Sequence, residues 1–174
     1  MELPNACAFG MGIFGQYGTL VTKELYELMD DKELEAVISH EIGHIRHKDV
    51  GLLTVLSILT GLSRSYEAKL KLVKSPPGVF AFLFLKALNK LIFPIGVSVI
   101  QCEREFSADA LGALYMGEVD SLISALKKLS AALAPKIKEM EESKSPFVKI
   151  MTPLTPSHPG MELRYAALEK LRKN

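Results

Sequence analysis

Apolar residues follow three different patterns along the chain. Residues 1–28 are punctuated by Gly10, Gly12, Gly15 and Gly18 and read as β-like, with short strands expected at Ala6 to Phe9 and Gly18 to Thr22. Two strands alone are marginal in water, so they require a helix to pack on. That helix follows at once. Leu34, Val37, Ile38, Ile42 and Ile45 recur at helical spacing and define one face. Asp30 and Glu33 form a capping-box pair at its start, with Asp31 and Glu33 in the first turn, where the helix dipole favours acids. The pattern runs through at least His47.

Beyond Val50 the face disappears. Val50 to Leu62 is apolar on every side, and as a helix it would span roughly 20 Å, short of a ~30 Å hydrocarbon core. A polar stretch, Ser63 to Ser75, and the breaker Pro76-Pro77-Gly78 separate it from a second apolar run, Val79 to Ile100. That run carries Lys86, Asn89 and Lys90 on one helical face, and a kink is expected at Pro94. A membrane-lying or membrane-embedded hairpin and a buried core or oligomer face both fit this pattern. Further helices are expected over 103–116, over 119–134 where Pro135 ends it, and over about 160–173 beginning near Ser157. The last should turn Leu163, Ala167, Leu168 and Leu171 inward. Residues 136–160 read as a charged, proline-rich connection. The chain is thus expected to be one α+β domain, 1–174, predominantly helical, with a small sheet packed on the helix of residues 31–47 and an apolar insert at about 50–100.

Composition narrows the partners. The 21 basic and 20 acidic residues balance, which argues against nucleic acid. Hydrophobic content is 48% with a mean hydropathy of +0.19, yet aromatics are only 7%, so the excess is aliphatic and needs a large core, a partner or a membrane to cover it. Cys7 and Cys102 are too few for a disulfide framework and are expected to be reduced, buried thiols. The N-terminus has no basic region followed by an apolar run, so no signal peptide is expected. Leu3-Pro4-Asn5 itself reads like the interior of a longer sequence.

The candidate chemistry lies on the helices. His40 and His44 are four apart, so they share a helical face and can converge on one tetrahedral Zn²⁺. Glu41, one residue further round, suits a general base acting on water that the metal has acidified towards a pKa of ~7. An unspecialised helix with two surface histidines would carry the same pentapeptide; Ile42, Gly43 and Ile45 bring no competing charge. A layout with glycine three residues and histidine six residues after His44 is excluded, because those positions are His47 and Val50. His47 lies about 10 Å along the axis from His40 and reads as a solvated residue near the helix end. Downstream, Glu105 and Asp109 share a face. Taken alone they read as an acidic helix start; beside the first motif, Glu105 can supply the third ligand and Asp109 can accept the second N–H of a ligating imidazole.

These residues resemble the HtpX-type and CAAX-prenyl-endopeptidase family of zinc metallopeptidases. The resemblance rests on Leu3-Pro4-Asn5-Ala6-Cys7-Ala8, on His40-Glu41-Ile42-Gly43-His44 followed by Asp49, on Glu105-Phe106-Ser107-Ala108-Asp109, and on Ser157-His158-Pro159 followed by Arg164. It covers nearly the whole chain in family order. It implies a zincin-like metalloprotease fold with one Zn²⁺ per chain held by His40, His44 and Glu105. Asp109 would support a ligand, and His158 would donate to the tetrahedral oxyanion, a role worth about 2.7–4 kcal/mol. Asn5, Ala6, Cys7 and Ala8 would form the edge on which a peptide lies extended, with Arg164 also at the substrate. The family usually carries transmembrane helices ahead of the catalytic part and a hydrophobic hairpin between the zinc motifs; here the hairpin has one short arm and one arm with lysines.

The expectation is a zinc metalloendopeptidase acting on protein or peptide substrates, in protein quality control at a membrane, with a cytoplasmic catalytic site. A soluble cytoplasmic enzyme is the alternative location. A latent, non-catalytic zinc-binding member, or a membrane or oligomerisation module built on the insert, are the alternative functions.

Overall fold

In the computed structural model, residues 3–11, 16–143 and 159–173 are described. Strands β1 (Ala6–Met11) and β2 (Gln16–Val21) pair antiparallel, with Ala6 opposite Val21 and Met11 opposite Gln16. Strand alternation turns Cys7 outward, so it is exposed where a buried thiol was expected; Cys102 is half-buried, and both are free. Residues 23–28 are not β-like but a short helix, α1 (Lys23–Leu28). Thr22 starts it: its hydroxyl accepts from the Leu25 N–H at 3.3 Å and from the Asn5 N–H at 2.9 Å. One side chain therefore caps the helix and closes the open end of the hairpin.

Helix α2 (Asp31–Arg46) begins with the expected capping box, Asp30 accepting from the Glu33 N–H and Glu33 from the Asp30 N–H, each at 2.9 Å. Its buried face follows the aliphatic stripe only in part, at Val37 with Leu34 beside it. Ala36, Val37, Ser39, His40, Glu41 and Gly43 are buried, while Ile42 is 40% exposed. The helix is rotated so that its small and polar residues meet α5 (Phe93–Met116). Gly43 and Gly112 make that meeting close. A Cβ on Gly43 would lie 3.0 Å from Ala108 Cα, and one on Gly112 would lie 3.0 Å from the His40 nitrogen.

Lys48, in the left-handed region at φ 59°, separates α2 from α3 (Asp49–Leu70), so the two are not one continuous helix. Helix α3 runs through the polar stretch to Leu70. Helix α4 (Pro76–Ala87), a π-helical turn (Leu88–Ile92) and α5 then follow without a break. The π-helical turn ends two residues before Pro94, so the carbonyl left unpaired by the proline's missing N–H falls within it. Gly117, at φ 68°, ends α5.

Helix α6 (Asp120–Ser143) continues through Pro135 instead of stopping there. Residues 131, 132, 134 and 135 are exposed, so water can take the carbonyl that the proline leaves unpaired. Helix α7 (Met161–Arg172) buries Arg164 and Leu168, whereas Leu163 is 62% and Leu171 44% exposed, against the inward turn expected of them. The inward stripe is Met161, Arg164, Tyr165 and Leu168, at helical spacing. Ser157 lies outside the described residues.

Two apolar clusters hold α2 in place. Ala36, Ala113, Leu122, Ile123, Leu126 and Leu168 pack α2, α5, α6 and α7 together. Leu25, Met29, Val37 and Ala125 join α1 and α2 to α6, with Ala6 and Val21 of the sheet against them. Between α2 and α6 the Glu33 carboxylate, 3% exposed, accepts from Ser124 Oγ at 2.6 Å and Lys128 Nζ at 2.5 Å. Burial by itself would raise the Glu33 pKa, but the bonds from Lys128, Ser124 and the Asp30 N–H outweigh it and hold the carboxyl below its ordinary range.

Two outcomes follow for folding stability. Glu33→Gln should lose about 1–3 kcal/mol at pH 7, the scale of a buried hydrogen bond to a charged group, since Lys128 can turn to water. A depressed carboxylate pKa stabilises the fold above the ordinary value of ~4.3, and that contribution fades as pH falls through the folded value. Urea denaturation of both proteins should therefore show the gap narrowing below pH ~4. Gly112→Ala should force α5 away from the α2 backbone and cost about 1–3 kcal/mol in the same measurement. An unchanged denaturation midpoint would show that the crossing yields freely.

Candidate metal centre

The α2–α5 crossing sets the site. His40 and His44 stand one turn apart on α2 with their Nε2 atoms 3.2 Å apart and their rings edge to face, centroids 4.7 Å apart. Across the crossing, α5 presents Glu105, with Oε1 3.5 Å from His44 Nε2 and Oε2 3.8 Å from His40 Nε2. One ligand atom from each of the three lies within 4.8 Å of the others. Two ligand atoms about 2.0–2.1 Å from a tetrahedral ion stand roughly 3.3–3.4 Å apart. The three donors thus sit near the spacing a zinc ion requires, and their nitrogen and oxygen chemistry suits it.

The outer ring nitrogens are also held. His40 Nδ1 is 2.9 Å from Asp109 Oδ1, and His44 Nδ1 is 2.8 Å from Asp49 Oδ2. A proton at Nδ1 of each ring, opposite these carboxylates, would leave both Nε2 lone pairs facing Glu105. Asp109 is 2% exposed and takes a two-pronged grip from Arg164, Nε to Oδ2 at 2.7 Å and Nη2 to Oδ1 at 2.6 Å. Burial alone would raise the Asp109 pKa; His40 and Arg164 overcome it and hold the group below the ordinary carboxylate range. Arg164 reaches Glu105 Oε2 as well, at 3.0 Å, so one guanidinium ties two acidic side chains of α5 to α7.

Glu41, 9% exposed, lies on α2 between the histidines and lines a cavity of about 400 Å³. His40, His44, Glu105 and Arg164 line the same cavity, and so do Asn5, Ala6, Cys7 and Ala8 along β1. The structure therefore brings together His40, Glu41, His44, Glu105 and Asp109 and sets β1 beside them. Arg164, expected at the substrate, has its guanidinium engaged by Asp109 and Glu105. His158 lies outside the described residues. Two residues were not singled out from the sequence as part of the site: Asp49 beyond its place in the motif, and Arg104. Residues five apart on one helix do not meet, and Asp49 reaches His44 only because the chain reverses at Lys48, a residue type that gives no warning of a left-handed turn.

Comparison with known proteins places the chain in a family. The profile of peptidase family M48 matches residues 2–172. A protein named Protease HtpX homolog from Aeropyrum pernix is 32% identical over 170 residues, covering 89% of this chain and 53% of its own length. One from Sulfurovum sp. is 31% identical over 190 residues, covering 98% and 67%. The chain thus spans about half to two thirds of the length of these relatives. The crystal structure of S. mikatae Ste24p shares the fold, with a TM-score of 0.64 over 95% of this chain and 42% of that one, at 23% identity. The resemblance drawn from the motifs is borne out, and with a match spanning almost its entire length the chain belongs to peptidase family M48.

Proposed function

We propose that this chain is the catalytic domain of a zinc-dependent endopeptidase. The observation that carries the proposal is the convergence of His40, His44 and Glu105 on one point beside Glu41, in a cavity flanked by a strand. When bound, zinc supplies an acidified water, with a pKa near ~7, and a Lewis acid for the scissile carbonyl. His40 and His44 would offer their Nε2 atoms to the metal, with Asp109 and Asp49 facing the Nδ1 atoms. The Glu41 carboxylate takes the proton from the attacking water and delivers it to the departing amine. β1 lines the cavity through Asn5, Ala6, Cys7 and Ala8, and among the described residues it pairs with β2 alone, so its outer edge suits an extended peptide held through backbone hydrogen bonds. His158 is the candidate donor to the oxyanion, on the strength of the family motif.

The site works against a membrane in this reading. The continuous helix Pro76–Met116 is 41 residues long, and only 11% of its most apolar stretch is buried. Phe80, Phe84, Ile58 and Leu62 stand more than half exposed on the two arms of the hairpin, so the insert is not a core element. Contact with a bilayer accounts for that surface; a role in protein quality control on the cytoplasmic side rests on the family resemblance alone.

Zinc content and chelator-reversible proteolysis of an unfolded protein substrate test this directly. Wild type and Glu41→Gln should each hold about one zinc per chain, with turnover at least about 10²-fold lower in the variant, the contribution of a general base. Glu105→Ala should lose the metal. Equal turnover in wild type and Glu41→Gln, or tight zinc in Glu105→Ala, would overturn the assigned roles.

A further inference from the structure

Asp49 is 2% exposed at the first position of α3. A carboxylate there gains from the helix dipole, but that interaction is available to a solvated side chain and does not require burial. Both of its oxygens are instead committed. Oδ2 faces His44 Nδ1 at 2.8 Å, and Oδ1 is gripped by Nε and Nη2 of Arg104. The same guanidinium donates to the His47 carbonyl at 2.5 Å, in the turn that leaves α2. Arg104 also sits immediately before Glu105 on α5. One side chain therefore joins the end of α2, the start of the apolar hairpin and the helix that carries the third donor. The arrangement repeats, on different elements, the Arg164–Asp109–His40 chain on the other side of the site.

A carboxylate held by an arginine fork cannot rotate away from the imidazole it faces. It keeps the His44 proton on Nδ1 and the lone pair on Nε2, pointed at His40 and Glu105. Without the fork, Asp49 could rotate into the solvent at the hairpin base, and His44 could take the other tautomer, which has no lone pair at Nε2 to offer. We infer that Arg104 and Asp49 are a positioning pair for His44, coupling the seating of the first turn of the apolar hairpin to metal affinity. This inference rests on the metal-centre reading above.

The test uses the full chain in wild type, Asp49→Ala, Arg104→Gln and Arg104→Lys forms. Zinc affinity is read by chelator competition, and the His44 tautomer by long-range proton–nitrogen NMR of the metal-free protein. Wild-type His44 should carry its proton on Nδ1. Asp49→Ala should move it to Nε2 and weaken zinc binding about 10–100-fold, the scale for groups that support a ligand. Arg104→Gln should shift the tautomer partly and weaken zinc binding less, and Arg104→Lys should restore part of both, since an ammonium supplies the charge but not the fork. A role confined to the helix dipole would lower stability and leave the tautomer alone. An unchanged tautomer in Asp49→Ala and Arg104→Gln, or unchanged zinc affinity in both, overturns the inference. If Asp49→Ala does not fold, the two Arg104 variants decide it alone. Absence of zinc from wild type would overturn the metal-centre reading instead, while the tautomer still reports on the pair.

Discussion

Everything at the site depends on how closely two helix backbones approach. Gly43 and Gly112 lie where α2 and α5 cross, each against the backbone of the other helix, with the Ala108 backbone meeting Gly43. Removing the Cβ at these points lets α5 come near enough for Glu105 to reach the space between His40 and His44. A crossing with ordinary side chains would hold the helices further apart, at the 8–10 Å typical of packed pairs, and leave the carboxylate short of that space. The apolar clusters on the other sides of α2 supply the pressure that keeps the helices together. The donor geometry is thus a consequence of packing.

Such a crossing buries charge, and the structure manages that charge with paired groups. Asp109 and Arg164 neutralise each other within the core of the site, and Arg164 also faces Glu105. Asp49 and Arg104 do the same at its outer margin. Buried ion pairs are rarely worth much as stability alone, because desolvation offsets the attraction. Here they give direction: Asp49 has one oxygen on Arg104 and the other facing His44, while both oxygens of Asp109 meet Arg164 and Oδ1 also faces His40. Glu33 with Lys128 and Ser124 is the contrasting case, a buried carboxylate met by an exposed lysine away from the metal site, whose effect is to join α2 to α6.

The hairpin has a different character from the rest of the chain. Its two arms touch each other and leave large aliphatic and aromatic side chains outside. Across the arms Asn89 donates to Glu67 at 2.7 Å. It leaves the domain at Asp49 and returns through Arg104, so whatever covers its surface is mechanically next to the metal donors.

Much of this was written into the sequence. The capping box at Asp30, the four-residue spacing of His40 and His44, and that of Glu105 and Asp109 are local, and local geometry fixes them once a helix forms. The pairing of β1 with β2 follows from glycine-punctuated alternation. The rotation of the helices was not legible. Ile42 is exposed and Leu163 and Leu171 face outward, because the crossing and the buried Arg164 decide which face turns inward, not the count of apolar residues. The continuation of α6 through Pro135 depended on water reaching that surface. The link from Asp49 to His44 required a reversal at Lys48 and an arginine 55 residues further on to hold it. The donors and their helical spacing are properties of one helix at a time, so the order of residues already carried them. Which faces meet, and which charges surround the metal site, depend on how near two backbones can come, and the folded chain alone settles that.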